Sequence, residues 1–224
     1  MSDPKTRTKK IVAVLEEQFG VPTWRGPGDP LDALIRTILS QNTNDTNSGR
    51  AYQRLKNRFP TWEEASAADV RDIADAIRVG GLAQLKAERI KGVLGWLQQT
   101  HGALNLDFIR DQEPDEVIRI LGALKGVGIK TISVVLLFAC GKEILPVDTH
   151  IHRIIRRLGL APKNASPEKV HEVMQNLVPQ GKAYSFHLNL LQFGRTICRA
   201  QNPQCEQCPL TEECVWYTTQ QRSS

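Results

Sequence analysis

Four of the five cysteines in this 224-residue chain fall within one stretch of seventeen residues, at Cys198, Cys205, Cys208 and Cys214. Six, two and five residues separate them, and the segment is made of polar turns with no core-forming periodicity. Such a tail is organised by a ligand rather than by a core. Four thiolates so close in sequence wrap one compact inorganic centre at little cost in loop closure. Zinc sites usually pair two C-x-x-C-like knuckles; here a single such pair stands between two lone cysteines. A cubane [4Fe–4S] cluster, with four iron corners, suits that arrangement better. Zinc, or four thiols buried for packing, are the alternatives. An odd and clustered set is also unlike a secreted disulfide framework, so a reducing compartment is expected. Cys140 stands apart, at the end of the apolar run Ile132–Cys140, and reads as a small core hydrophobe.

The rest of the chain is helical by pattern. Ile11, Val14, Leu15 and Phe19 share one face of a helix predicted over Lys10–Phe19, stopped by Gly20. After Pro27-Gly28-Asp29-Pro30, Asp29 or Asp32 opens a helix carrying Leu31, Leu34, Ile35, Ile38 and Leu39. Further helices are predicted at 48–58, 62–66, 68–77, 84–99, 105–110, 114–123, 129–140, 149–158, 167–177 and 182–198. No segment alternates with period two, so the fold class is all-α. Aromatics at 6% disfavour a β-sheet protein, while 41% hydrophobic and 24% charged residues are ordinary for a globular chain. Length alone suggests one or two compact units. The net charge of +5 is compatible with a polyanionic partner. The apolar run is too short to span a bilayer, and Met1–Lys10 has no apolar signal core, so neither a membrane protein nor secretion is expected.

Between two of these helices lies Leu124-Lys125-Gly126-Val127-Gly128-Ile129-Lys130-Thr131. Two glycines one residue apart allow a tight helix–turn–helix hairpin. The amides opening the second helix can then receive a phosphate without reading a base; an ordinary helix-terminating loop is the plainer reading. Lys130 falls in the first turn of that second helix, where the dipole disfavours a cation and favours the neutral amine that a Schiff-base nucleophile needs. Asp148, in Val147-Asp148-Thr149-His150, is placed to cap a helix. A cap and a catalytic carboxylate are compatible roles.

Together these segments resemble the endonuclease III family of helix-hairpin-helix (HhH-GPD) DNA glycosylases. The hairpin Leu124–Thr131, the Val147–His150 motif with Asp148 eighteen residues on from Lys130, and the six-two-five cysteine spacing occur in the family's order. The resemblance covers about residues 28 to 217. It implies a two-domain fold with a DNA-binding cleft between a six-helix barrel at 28–144, its helix-hairpin-helix at about 112–134, and an iron–sulfur domain made of 1–27 plus 145–224. It implies a [4Fe–4S] cluster on the four cysteines and a double-stranded DNA partner containing damaged bases or abasic sites. The protein is then expected as a monomer in a prokaryotic cytoplasm, on the nucleoid. Lys130 would attack C1′ of the damaged nucleotide, assisted by Asp148, and base removal and β-elimination would follow. Gln41 would fill the space left by the flipped nucleotide and Leu82 would wedge the opposite strand. Lys125, Gly126, Gly128, Thr131 and His150 complete the expected DNA contacts. Three positions depart from the family pattern. Lys125 replaces the usual hairpin proline, Gln41-Asn42-Thr43-Asn44-Asp45 differs from the common Gln-Ala-Thr-Asp form, and His187 follows Phe186 where paired histidines are frequent.

The sequence therefore favours a bifunctional DNA glycosylase and AP lyase acting on oxidised pyrimidines. A monofunctional mismatch glycosylase of the same fold is the near rival, against which Lys130 speaks. A non-catalytic DNA-binding or redox module is the rival from another class, opposed by the presence of both Lys130 and Asp148. A zinc-binding helical regulator is the remaining alternative.

Overall fold

The computed structural model describes residues 3–221, and among them helices are the only regular elements. The chain divides into two compact units. One is Gly26–Cys140; the other joins the described residues up to Arg25 with those from Gly141 onward.

The first unit contains α2 (Pro30–Ser40), α3 (Asp45–Arg58), α4 (Trp62–Ala67), α5 (Val70–Ala76), α6 (Ala83–His101), α7 (Pro114–Gly122) and α8 (Ile129–Cys140). Asp29 caps α2 by accepting from the Asp32 amide at 2.9 Å, with Pro30 in the first turn. Packing of α2 on α8, α3 and α6 builds the core. Leu31, Leu34, Ile35, Ile38 and Leu39 of α2 and Ile132, Val135 and Leu136 of α8 are all buried. Each such side chain contributes about 1.5–3 kcal/mol of transfer free energy. The helix predicted at 105–110 contracts to a 3-10 turn, Asp107–Arg110. There the Asn105 side chain takes the Asp107 amide and Leu106 is driven into the core.

The second unit contains α1 (Pro4–Phe19), α9 (Thr149–Leu158), α10 (Pro167–Gln175), α11 (Ala183–Thr196) and α12 (Val215–Gln221). Helix α1 starts six residues before the predicted Lys10. Asp3 accepts from the Lys5 and Thr6 amides, Pro4 stands at the first helical position, and Arg7 is buried. The Arg7 guanidinium donates to the carbonyls of Leu158 and Glu213, both at 2.7 Å. Ile11, Leu15, Ile151, Ile154, Ile155, Phe186, Leu190 and Phe193 form the core where α1 and α9 pack on α11. The tail beyond Cys198 is not all turns, as the sequence suggested. It ends in α12, which packs on α9, and the Arg157 guanidinium lies 4.7 Å over the Trp216 ring.

Candidate functional site

In the first unit, α7 and α8 form the expected hairpin, joined by the turn Ala123–Gly128. Val127 is buried and its amide donates to Leu124 O at 3.1 Å, which pins the turn. Gly126 has φ +83°, a conformation that L side chains rarely adopt, and a Cβ there would stand 2.2 Å from Arg89 Nε. The first intrahelical bond of α8 runs from the Ile132 amide to Gly128 O, so the amides just before it have no acceptor inside the helix. Lys125 and Gly128 are exposed and Lys130 is half-buried in the first turn of α8.

Gln41, half-buried just past α2, is fastened to this turn. Its Nε2 donates to Gly126 O at 3.1 Å and lies 3.5 Å from Thr131 Oγ1, while its Oε1 accepts a short bond from Arg89. Thr131 is buried, and its hydroxyl faces Gln41 in the interior. Arg89 has a further buried Nε without a partner among the described residues. No local pattern marks Arg89, an arginine on an ordinary amphipathic helix. Leu82, by contrast, is 52% exposed and takes a left-handed conformation, φ +48° and ψ +38°, immediately before α6.

In the second unit, Asp148 caps α9 by accepting from the Ile151 amide at 2.8 Å. Its approach segment is held from behind. Leu145 O and Pro146 O lie 3.1 Å from the Nδ1 atoms of buried His171 and His187. Arg153 donates to Cys198 O, to Gly194 O and to His150 Nδ1. Since a guanidinium only donates, that ring nitrogen accepts and the imidazole proton sits on Nε2. Arg153 thus joins the helix bearing Asp148 and His150 to the start of the cysteine segment.

Cys198, Cys205, Cys208 and Cys214 line one hollow of about 390 Å³, part of it open to solvent, walled by Ile154, Leu158, Phe193 and Leu210. All four are unpaired and half-buried. Donors point at the sulfurs: Arg157 at Cys198 Sγ, 3.3 Å, and the Tyr217 amide at Cys214 Sγ, 3.5 Å. Burial pushes the Cys208 thiol up to about 11 and raises Cys214, and neighbouring cysteine charge adds in the same direction. Burial therefore favours the neutral thiols until a cationic centre binds them as thiolates. Among the described residues no three His, Cys, Asp or Glu side chains converge as ligands of a single ion. Four thiols lining one hollow can serve as the corners of a polynuclear centre. Arg195 and Arg199 are exposed beside it.

These arrangements are those of a known class. Residues 35–180 match the HhH-GPD superfamily of base excision DNA repair proteins, and residues 198–214 match the iron–sulfur binding domain of endonuclease III. Endonuclease III of Thermotoga maritima is 37% identical over 189 residues, covering 84% of each chain. A solved structure of a trapped endonuclease III–DNA covalent intermediate superposes with a TM-score of 0.83 at 27% identity, covering 99% of this chain and 100% of that one. An Arabidopsis thaliana relative is 40% identical over 168 residues, and the chain spans 57% of its length. The chain belongs to the endonuclease III family of HhH-GPD DNA glycosylases, enzymes of base excision repair, and its cofactor is a [4Fe–4S] cluster. No described helix is long and apolar enough to cross a membrane.

Proposed function

We propose that the chain is a bifunctional DNA glycosylase and AP lyase that removes oxidised pyrimidines from double-stranded DNA, acting as a monomer. The observation that carries this reading is Lys130, an amine in the first turn of α8 directly after the glycine turn. The hairpin, within the barrel unit at about 28–144, receives a backbone phosphate on the amides of its turn, with Gly126 and Gly128 allowing close approach and Lys125 adding charge. The target C1′ is out of reach in a stacked duplex, so the nucleotide is turned out. Gln41 fills the vacated space and Leu82 enters opposite it.

Lys130 Nζ then attacks C1′, and the glycosidic bond breaks with its electrons leaving on the base. Asp148 takes the lysine proton and offsets positive charge developing at the sugar. Opening of the sugar ring gives an imine between Lys130 and C1′. That imine acidifies the C2′ proton, whose removal expels the 3′ phosphate, and water then frees the lysine. His150, on the same helix as Asp148, contacts the DNA strand. Cys198, Cys205, Cys208 and Cys214, in the unit formed by about 1–27 and 145–224, hold the cluster. When bound, it supplies a rigid crosslink that sets Arg195 and Arg199 against phosphates. The unpaired cysteines suit a reducing compartment, the prokaryotic cytoplasm with its nucleoid.

Base release and strand nicking, measured on duplexes each carrying one defined lesion, test the reading. Release of oxidised pyrimidines with coupled nicking is the expected result. Release of a mismatched adenine or thymine without nicking would replace it with the monofunctional alternative.

A further inference from the structure

Lys86 of α6 heads the largest fully buried side chains of the protein. Lysine is almost never enclosed in this way unless it is paired. Its ammonium donates to two backbone carbonyls, Leu39 O and Gly80 O, each at 2.7 Å. Leu39 lies in the last turn of α2, two residues before Gln41. Gly80 ends the 3-10 turn Arg78–Gly80, two residues before Leu82. One cation therefore ties together the two backbone segments that present Gln41 and Leu82.

The Leu82 segment is not relaxed without support. A left-handed conformation costs a non-glycine residue about 1–2 kcal/mol, and Leu82 holds it while exposing half its side chain. Such strain persists where surrounding structure over-determines it. Here Lys86 does so twice, through its ammonium on Gly80 O and through its amide, which donates to Leu82 O at 2.9 Å. Gly80 is itself wedged, since a Cβ there would stand 3.0 Å from Cβ of Ala51 on α3. Burial lowers the Lys86 pKa and the nearby charge of Arg89 lowers it further. An ammonium buried on carbonyls is a costly way to fill space. Its bonds offset part of that cost, because Leu39 O belongs to the last turn of α2, where carbonyls lack an intrahelical donor.

We propose that Lys86 is a positioning residue that sets the spacing between Gln41 and Leu82, so that both enter the duplex together when a nucleotide is turned out. This deepens the proposed function and rests on its reading of those two residues as the ones that enter DNA. Lys86 touches no substrate; it acts through the two segments it ties. Its loss should therefore spare chemistry at a site that is already abasic and poorly stacked, and impair processing of a paired lesion.

The test compares full-length wild type with Lys86→Met, Leu82→Ala, Gln41→Ala and the Lys86→Met/Leu82→Ala double variant. Two rates are read for each, on a paired lesion and on a preformed abasic site, with 2-aminopurine fluorescence beside the lesion reporting unstacking. Cluster colour and cooperative unfolding establish that each protein is folded. Where Lys86→Met fails that check, Lys86→Gln, which keeps two donors on a shorter stem, takes its place under the same criteria. The ratio of the paired to the abasic rate should fall by about tenfold or more in the Lys86 variant, with a matching loss of the fluorescence rise. The double variant should be little worse than the weaker single, because residues that act as one unit are not additive. A lowered ratio in Leu82→Ala beside an unchanged ratio in the Lys86 variant, or effects that multiply in the double, would overturn the proposal alone. An unchanged ratio in both Leu82→Ala and Gln41→Ala would overturn the reading of those residues and the proposal with it.

Discussion

Gly126→Ala puts a methyl group where the side chain of Arg89 already lies. Two costs follow from the geometry. At φ +83° the new Cβ strains the backbone by about 1–2 kcal/mol. That Cβ would also stand 2.2 Å from Arg89 Nε and 2.5 Å from its Cδ. The guanidinium end is flexible, so it swings away and gives up its bond to Gln41 Oε1, a further loss of about 1 kcal/mol. The total, about 2–3 kcal/mol, corresponds to a fall in Tm of about 5–10 °C for a chain of this length. Gly128→Ala is the built-in comparison, because Gly128 has no positive φ and a Cβ there meets nothing within 4 Å. It should cost less than about 0.5 kcal/mol. In an Arg89→Ala background the clash disappears, and Gly126→Ala should then cost only the backbone term. Urea unfolding of the four variants reads all of this. Equal losses at Gly126 and Gly128, or a double variant in which both full penalties add, would refute the reasoning.

Asp148→Asn should keep the cap and most of the stability, since Asn caps a helix as well as Asp does, while turnover drops by orders of magnitude. Unaltered turnover would leave Asp148 as a cap only. Cys208→Ser should lose the visible absorbance of the cluster and much of the DNA affinity, yet its folded fraction should still form a borohydride adduct. Normal DNA binding without an adduct would place the cluster in the chemistry. Acid should weaken the second unit through two carboxylates. Burial favours neutral Glu16, but bonds from Lys182 and Ser185 outweigh it and hold the acid below its ordinary range. A bond from Lys10 is the main cause of the same shift at Glu213. The unfolded chain takes up these protons first, so the stability they contribute is full above about pH 5 and is lost as pH falls through the lowered values. Unfolding free energies of Glu16→Gln against wild type over that range should converge in acid; a constant gap would contradict the linkage.

What the sequence revealed and what it hid follow a physical division. Local patterns were legible. The repeats of α2 and the apolar run of α8 gave two core helices, and Asp148 was readable as a cap because capping involves only the next three residues. Contacts between distant residues were not. The first turns of α1 fell outside the predicted Lys10–Phe19 because Arg7 is satisfied by Leu158 and Glu213, far along the chain. Helix α12 has little propensity of its own and owes its place to packing on α9 and to Trp216 beneath Arg157. Lys86, which no local pattern marks as special, is buried between two carbonyls. Arg89, which fastens Gln41 to the hairpin, and Arg153 and Arg157, which hold Cys198, carried no local signal at all.

The central claim is that Lys130 is the nucleophile, and borohydride reduction during turnover tests it most directly. Reduction converts an imine between the enzyme and C1′ into a stable amine, seen as a protein–DNA species that survives denaturation. Wild type should form it on a duplex with an oxidised pyrimidine and on an abasic duplex. Lys130→Gln, folded and carrying its cluster, should form none on either. Adduct formation by Lys130→Gln at the wild-type level would contradict the account.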